Sequence, residues 1–311
     1  MGAGIFSPRN IGKALINAVR AMITHETPRD AGSISYFSLI ALFPAMLIMI
    51  AIVDAFLGWL DLHDLVVRHI AALFPGSRAF LLSNLSQLTD PSPALLLSCV
   101  VGVLWLSTWI FSSIEIALNR AWQVPKQRSF WESRVRSIAL MVLGGLLLLV
   151  SSGLAGVVSA FRSRATDRVP AFAQDQIINW MWSSILLGSG FIIAIVVFFC
   201  VYKLMPDRPV RWQEAISGAV AAAILWETAS YVFVALLPAF DSQKVYGRAG
   251  VFITLLIWVY TSSLIMLFGA NFSAQLHQGV DEESAAGAGL DTRRERTKAG
   301  GTRIRRFPLN R

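Results

Sequence analysis

The sequence predicts an all-α, polytopic membrane protein with six transmembrane helices. Three observations lead there. Hydrophobic residues make up 55% of the 311-residue chain and charged residues only 15%, against about 25% charged in a soluble domain. Mean hydropathy is +0.59. Six apolar windows along the chain are long enough to cross a bilayer core, which takes about 20 residues of helix. The two cysteines, Cys99 and Cys200, lie inside apolar runs without a CxxC spacing. They read as small apolar filler and as no part of a disulfide or metal framework.

The first 30 residues contain no compact apolar core followed by a small-residue cleavage site, so a cleaved signal peptide is not expected, and residues 1–32 form a cytoplasmic N-terminal segment. The stretch "RNIGKALINAVRAMITHE" places Ile11, Leu15, Ala18, Val19 and Met22 on one helical face. It predicts an amphipathic helix that lies on the membrane surface or packs on the bundle. The membrane domain covers 33–276, with spans near 33–57, 94–118, 137–160, 180–204, 213–237 and 250–276. Between the first two spans, Leu62, Leu65, Val66, His69, Ile70 and Leu73 repeat at helical spacing until "FPGS" breaks the pattern. That segment predicts an outer helical hairpin. His63 and His69 are poorly spaced as two ligands on one helix face, and no metal site is expected there. Residues 277–311 are Gly-rich and basic, and read as a disordered tail that touches anionic lipid.

Orientation follows from the basic residues, because cytoplasmic segments collect Lys and Arg. The N-terminal segment, the second and fourth connections and the tail carry 20 of the 27 Lys and Arg, and the other three connections carry 7. This distribution places both termini in the cytoplasm. The net charge of +8 is then mainly topology, and no specific nucleic-acid partner is expected.

Inside the spans, several residues break the apolar pattern. Pro44 removes a backbone donor and crowds the Ile40 carbonyl, which predicts a kink in the first span. Thr108, Ser112, Glu115 and Asn119 follow steps of four, three and four, so they share one helical face that should point into the bundle. Small residues in the third and fifth spans, Gly144, Gly145, Gly153, Gly156, Gly218 and Ala222, permit close helix contact. Glu227 lies 14 residues beyond Gln213, or about 21 Å along the helix. A charge at that depth costs at least ~2.5 kcal/mol. Glu227 therefore pairs, faces a water-filled cavity, or carries a proton. Ser230 and Tyr231 share its face, and Tyr260 and Ser189 are at reachable depth on other spans. No Lys or Arg lies at matching depth, which argues against a buried ion pair.

The stretches "SYFSLIALFPAMLIMIA", "LNRAW", "YKLMPDRPVRWQEAISGAVAAAILWE" and "YGRAGVFITLLIWVYTSSLIMLFGANFSAQL" occur in this order and spacing. In them the chain resembles the YihY/BrkB integral membrane proteins of bacteria. The resemblance implies six inner-membrane helices with cytoplasmic termini, and an acidic position on the fifth helix that falls on Glu227. The sequence departs from the family in span six, where Asn271 stands in place of an acid after "GA".

Family members are sometimes labelled ribonucleases, but the residues for that chemistry are missing. A ribonuclease needs metal-binding acids or a His-based acid–base pair in a water-filled site. His25 and His277 stand apart near the membrane edges, His63 and His69 face outward, and neither HxH nor HExxH occurs. No Walker-type phosphate loop is present either. Glu115 and Glu227 differ in depth and cannot form a catalytic dyad. The expectation is a non-enzymatic protein without metal or cofactor that transports or handles a lipid or other amphiphile. The alternative is a non-transporting envelope scaffold that influences surface resistance.

Overall fold

The computed structural model describes residues 8–23, 26–57, 92–124, 132, 134–147, 150, 179–237 and 249–300. Every regular element among them is helical: α1 (Pro8–Ile23), α2 (Glu26–Leu57), α3 (Pro93–Ala121), α4 (134–147), α5 (Asn179–Leu204), α6 (Trp212–Leu236) and α7 (Gly250–Gly300). Among the described residues, four segments are long and apolar enough to cross a membrane: Glu26–Met49, Pro93–Ala121, Trp212–Leu236 and Gly250–Leu276. A fifth apolar stretch, Gly188–Leu204, forms the later part of α5. The third span of the sequence reading is described over its first half, as α4. The outer hairpin lies outside the described residues.

α1 starts with Pro8, whose missing N–H is no loss in the first turn. Its buried face is Asn10, Ala14 and Ala18, with Met22 behind them, packed on Phe268, Phe272 and Leu276 of α7. Asn17 Nδ2 donates to Gln275 Oε1 at 3.3 Å. The stripe read from the sequence is thus divided. Ala18 and Met22 turn inward, while Ile11, Leu15 and Val19 are exposed. The two alanines let the helices approach, and the branched side chains are left at the edge of the contact. The helix therefore packs on the bundle and also keeps an apolar ridge free.

The hydroxyl of Thr27 donates to the Ala21 carbonyl at 2.8 Å and closes the turn into α2. α2 runs through Pro44 without ending. Ser92 caps α3, its Oγ accepting from Leu95 N at 3.3 Å, with Pro93 in the first turn. α3 ends where Gln123 takes a left-handed backbone (φ 51°) and Val124 N donates back to Asn119 O at 2.9 Å. Such a backbone costs a non-glycine residue roughly 1–2 kcal/mol, which the returning hydrogen bonds offset.

The densest packing lies at one end of the bundle, where α3, α5, α6 and α7 converge on Leu118, Trp122, Tyr202, Ala219, Leu267 and Ala270. We call it the basic end, since Arg120, Arg136, Lys203, Arg208 and Arg211 surround it. α6 and α7 touch through glycines. A Cβ added at Gly218 would fall 2.6 Å from the Gly269 carbonyl oxygen and 2.8 Å from Ser273 Cβ. Bilayer helices gain little from apolar burial, so such backbone-to-backbone fits hold them together. Elsewhere the surface is apolar, with Val101, Trp105, Ile192 and Val232 all exposed, as suits a lipid surround.

α7 continues past the bundle to Gly300, through 277–300, which the sequence reading left without structure. Ala, Glu and Arg are strong helix formers, and extending an existing helix avoids the cost of nucleation.

Candidate functional site

Among the described residues, two crevices contain charged side chains, and they differ in how those groups are satisfied. The first lies at the basic end, has a volume of about 180 Å³, and is lined by Glu26, Thr27, Asp30, Arg120, Asn271 and Gln275 among others. Its charges are paired. Arg120 Nε stands 3.0 Å from Glu26 Oε2, and Arg120 Nη1 donates to Asp30. Asn271 Nδ2 donates to the Leu267 carbonyl of its own helix at 2.8 Å.

Close by, Asn119 and Asp207 clasp each other. Asn119 Nδ2 donates to Asp207 Oδ2 and Asp207 N donates to Asn119 Oδ1, both at 2.8 Å. Arg136 Nη1 approaches Asp207 Oδ1 at 4.0 Å and donates to the Leu204 carbonyl at 3.4 Å. Glu214, buried in the first turn of α6, accepts from Arg211 N at 3.3 Å and from Arg208 Nη2 at 3.4 Å. Ser273 Oγ of α7 donates to the Glu214 carbonyl at 2.6 Å. These groups lock the α5–α6 connection to α3 and α7.

The second crevice is deeper, holds about 450 Å³ and is walled by five helices. α2 contributes Ile34 and Ser38, α3 Ile114, α5 Gly190 to Phe198, α6 Trp226 and Glu227, and α7 Val259 to Met266. The walls are almost entirely apolar. Glu227 stands fifteen residues beyond Trp212, the start of α6, about 22 Å along the axis. Its carboxyl makes no hydrogen bond or ion pair with the described residues. Its neighbours are occupied elsewhere. Trp226 Nε1 donates to Ser262 Oγ at 3.3 Å, Ser263 Oγ to the Val259 carbonyl at 2.8 Å, and Ser230 Oγ to the Trp226 carbonyl at 2.8 Å. The cavity is thus a nonpolar chamber with one uncommitted carboxyl. A larger groove of about 700 Å³ along α3 offers Ser98 as its polar side chain, already donating to the Ala94 carbonyl.

The residues singled out from the sequence do not gather into one site. Glu227 lines the deep cavity, and Asn271 lines the crevice at the basic end. Asn119 belongs to the Asp207 clasp. Thr108 Oγ1 donates to the Leu104 carbonyl of its own helix at 3.2 Å. Ser112 and Glu115 are half-buried, and Glu115 has a partner of its own. Tyr231 is exposed, pointing away from the bundle although it lies one turn from Glu227. Tyr260 packs against the core, and Ser189 is half-buried with its own interaction. None of Thr108, Ser112, Glu115, Ser189, Tyr231 and Tyr260 lines the deep cavity. The sequence reading missed Ser38, Trp226 and Ser262, which have no local signature. It also missed the Asp207 and Glu214 clusters, whose one hint was a run of charges between two spans.

The family profile described as Virulence factor BrkB matches residues 18–291. The chain belongs to the BrkB family. It is 28% identical over 258 residues to the ribonuclease-like protein YfkH of Bacillus subtilis, covering 82% of this chain and 91% of that one. It is 27% identical over 298 residues to a UPF0761 membrane protein of Rhodospirillum rubrum, covering 94% of this chain and 66% of the relative. A UPF0761 membrane protein of Vibrio vulnificus is 25% identical over 271 residues, covering 85% of this chain and 83% of its own length. No solved structure matches the chain. This member of the BrkB family is a helical membrane protein.

Proposed function

We propose that the chain is a six-span protein of the bacterial inner membrane, with both termini in the cytoplasm, that binds and moves a membrane amphiphile. One observation carries this reading: Glu227, without a partner among the described residues, lines an apolar cavity of about 450 Å³ between five helices. Small-molecule sites of about 300–1,000 Å³ are mostly apolar with a few placed polar groups, and this cavity fits that description. An intramembrane acid facing a bundle interior is a functional candidate by default. Gly190 and Val197, both in the cavity wall, are exposed on α5, which supports entry from the side.

The ribonuclease-like name of the Bacillus relative finds no support in this cavity, whose described lining offers one acid and no base. Native mass spectrometry of protein extracted gently from its own membrane tests the proposal, with wild type beside Glu227→Gln. We expect a defined amphiphile on the wild type that is lost from the variant. Identical spectra from both would end the reading.

The extension of α7 to Gly300 favours a second reading, an envelope scaffold engaged through that helix. Removing 282–311 should spare the retained amphiphile if the first reading holds. Loss of a co-purifying protein in the truncated form, with no amphiphile in either form, would favour the scaffold.

A further inference from the structure

We propose that the Glu227 cavity selects an amphiphile whose head carries a positively charged nitrogen; this rests on the amphiphile reading above. The lining decides the sign of the head. Among the described residues no Lys, Arg or His lines the cavity, so a phosphate, sulfate or carboxylate head would meet one acid and no cation there. An ammonium head would meet a carboxylate and two aromatic side chains, Trp226 and Phe198, in the same wall. Cations are drawn to aromatic faces, most strongly to Trp, and more so where water is excluded.

The remaining hydrogen-bonding capacity points the same way. The indole N–H of Trp226 is committed to Ser262, and the Ser263 hydroxyl to the Val259 carbonyl. The Ser38 and Ser262 hydroxyls remain as neutral donors without a charge to balance an anion, while the Glu227 carboxyl keeps its acceptor capacity. At the basic end the opposite holds. Glu26 and Asp30 share Arg120, and Asp207 and Glu214 have arginines beside them. Glu227 differs from those acids in having no cation beside it among the described residues, and an ammonium ligand would supply one.

The rest of the cavity suits an alkyl chain. Ile34, Ile114, Ile193, Ala194 and Val197 present hydrocarbon, and the exposed Gly190 and Val197 let a chain continue outward. About 450 Å³ takes a head and the start of one chain, not a whole two-chain lipid.

The test uses the full chain in a non-ionic detergent and measures binding of four probes by competition. They are myristyltrimethylammonium, myristylamine, lysophosphatidylethanolamine and myristic acid. We expect the two ammonium probes to bind about ten-fold tighter than the fatty acid. That preference should vanish in Glu227→Gln and survive in Glu227→Asp, which keeps the charge. Binding of lysophosphatidylethanolamine as tight as that of the amines would assign the site to a lipid head group. Its rejection would assign the site to a free amine; either result upholds the ammonium selection. Ala194→Trp fills the cavity and should abolish binding of every probe. If ammonium and acid bind equally and both are lost in Ala194→Trp, the amphiphile site stands and the ammonium selection falls. If no probe responds to Ala194→Trp, both readings fall.

Discussion

Tyr202 and Glu227 each carry a polar group deep into the bundle, and their surroundings set opposite expectations. Tyr202 is fully buried, and its hydroxyl donates to the Met266 carbonyl at 2.7 Å. Met266 keeps its helical hydrogen bond if that hydroxyl is removed, and the ring still packs on Phe198. Tyr202→Phe should therefore lower stability by only about 0.5–1.5 kcal/mol, read by thermal unfolding in detergent. Glu227 has no described partner to lose. Glu227→Gln and Glu227→Leu should both fold, with the glutamine form at least as stable as the wild type and the leucine form no worse than it by more than about 1 kcal/mol. Severe unfolding of both would show that the carboxyl holds the bundle together and serves no ligand. Glu227 was legible in the sequence because an acid inside an apolar run is a local anomaly. Its cavity was not, since Ser38, Trp226 and Ser262 come from three helices and only packing brings them together.

The contacts between helices divide into close backbone fits and polar clasps. At the α6–α7 crossing, a side chain at Gly218 would meet backbone and a Cβ, neither of which can swing aside. Gly218→Val should cost at least about 1–3 kcal/mol and reduce the yield of folded protein. A valine at Gly102, which faces open space on α3, should have little effect. Among the polar clasps, burial sets the order. Glu26 is exposed, and Glu26→Ala leaves Arg120 its Asp30 partner, so that variant should cost no more than about 1 kcal/mol. Asn119→Ala leaves the buried Asp207 carboxylate and its backbone N–H without their amide partner and should cost about 1–3 kcal/mol. A thermal-unfolding series that put Glu26→Ala below Asn119→Ala would contradict this order. Sequence periodicity could place Asn119 on a polar face of α3. It could not identify the partner, which lies 88 residues away. It also could not decide which side of α1 packs inward, because bundle-facing and lipid-facing side chains are equally apolar. The size difference between Ala18 and Val19 settles that, and only contact with α7 brings it into play.

For the whole molecule, apolar length made the membrane helices readable, because crossing a bilayer core takes about 20 apolar residues of helix. The Lys and Arg distribution predicts that the second and fourth connections share a side. The Asn119–Asp207 clasp joins the end of α3 to the α5–α6 connection, so the two lie at the same end of the bundle. Gln123 and Pro209 are exposed there and can report the side they face. Cys99 is buried and Cys200 is half-buried, both within membrane helices, so the natural thiols should stay silent toward a membrane-impermeant maleimide. Gln123→Cys and Pro209→Cys should both be labelled in inverted vesicles, and neither in intact right-side-out vesicles. Labelling of the two from opposite sides would break the packing of the basic end. Labelling of both from outside would keep the packing and invert the orientation, placing the crevice around Asp30 at the basic end away from the cytoplasm.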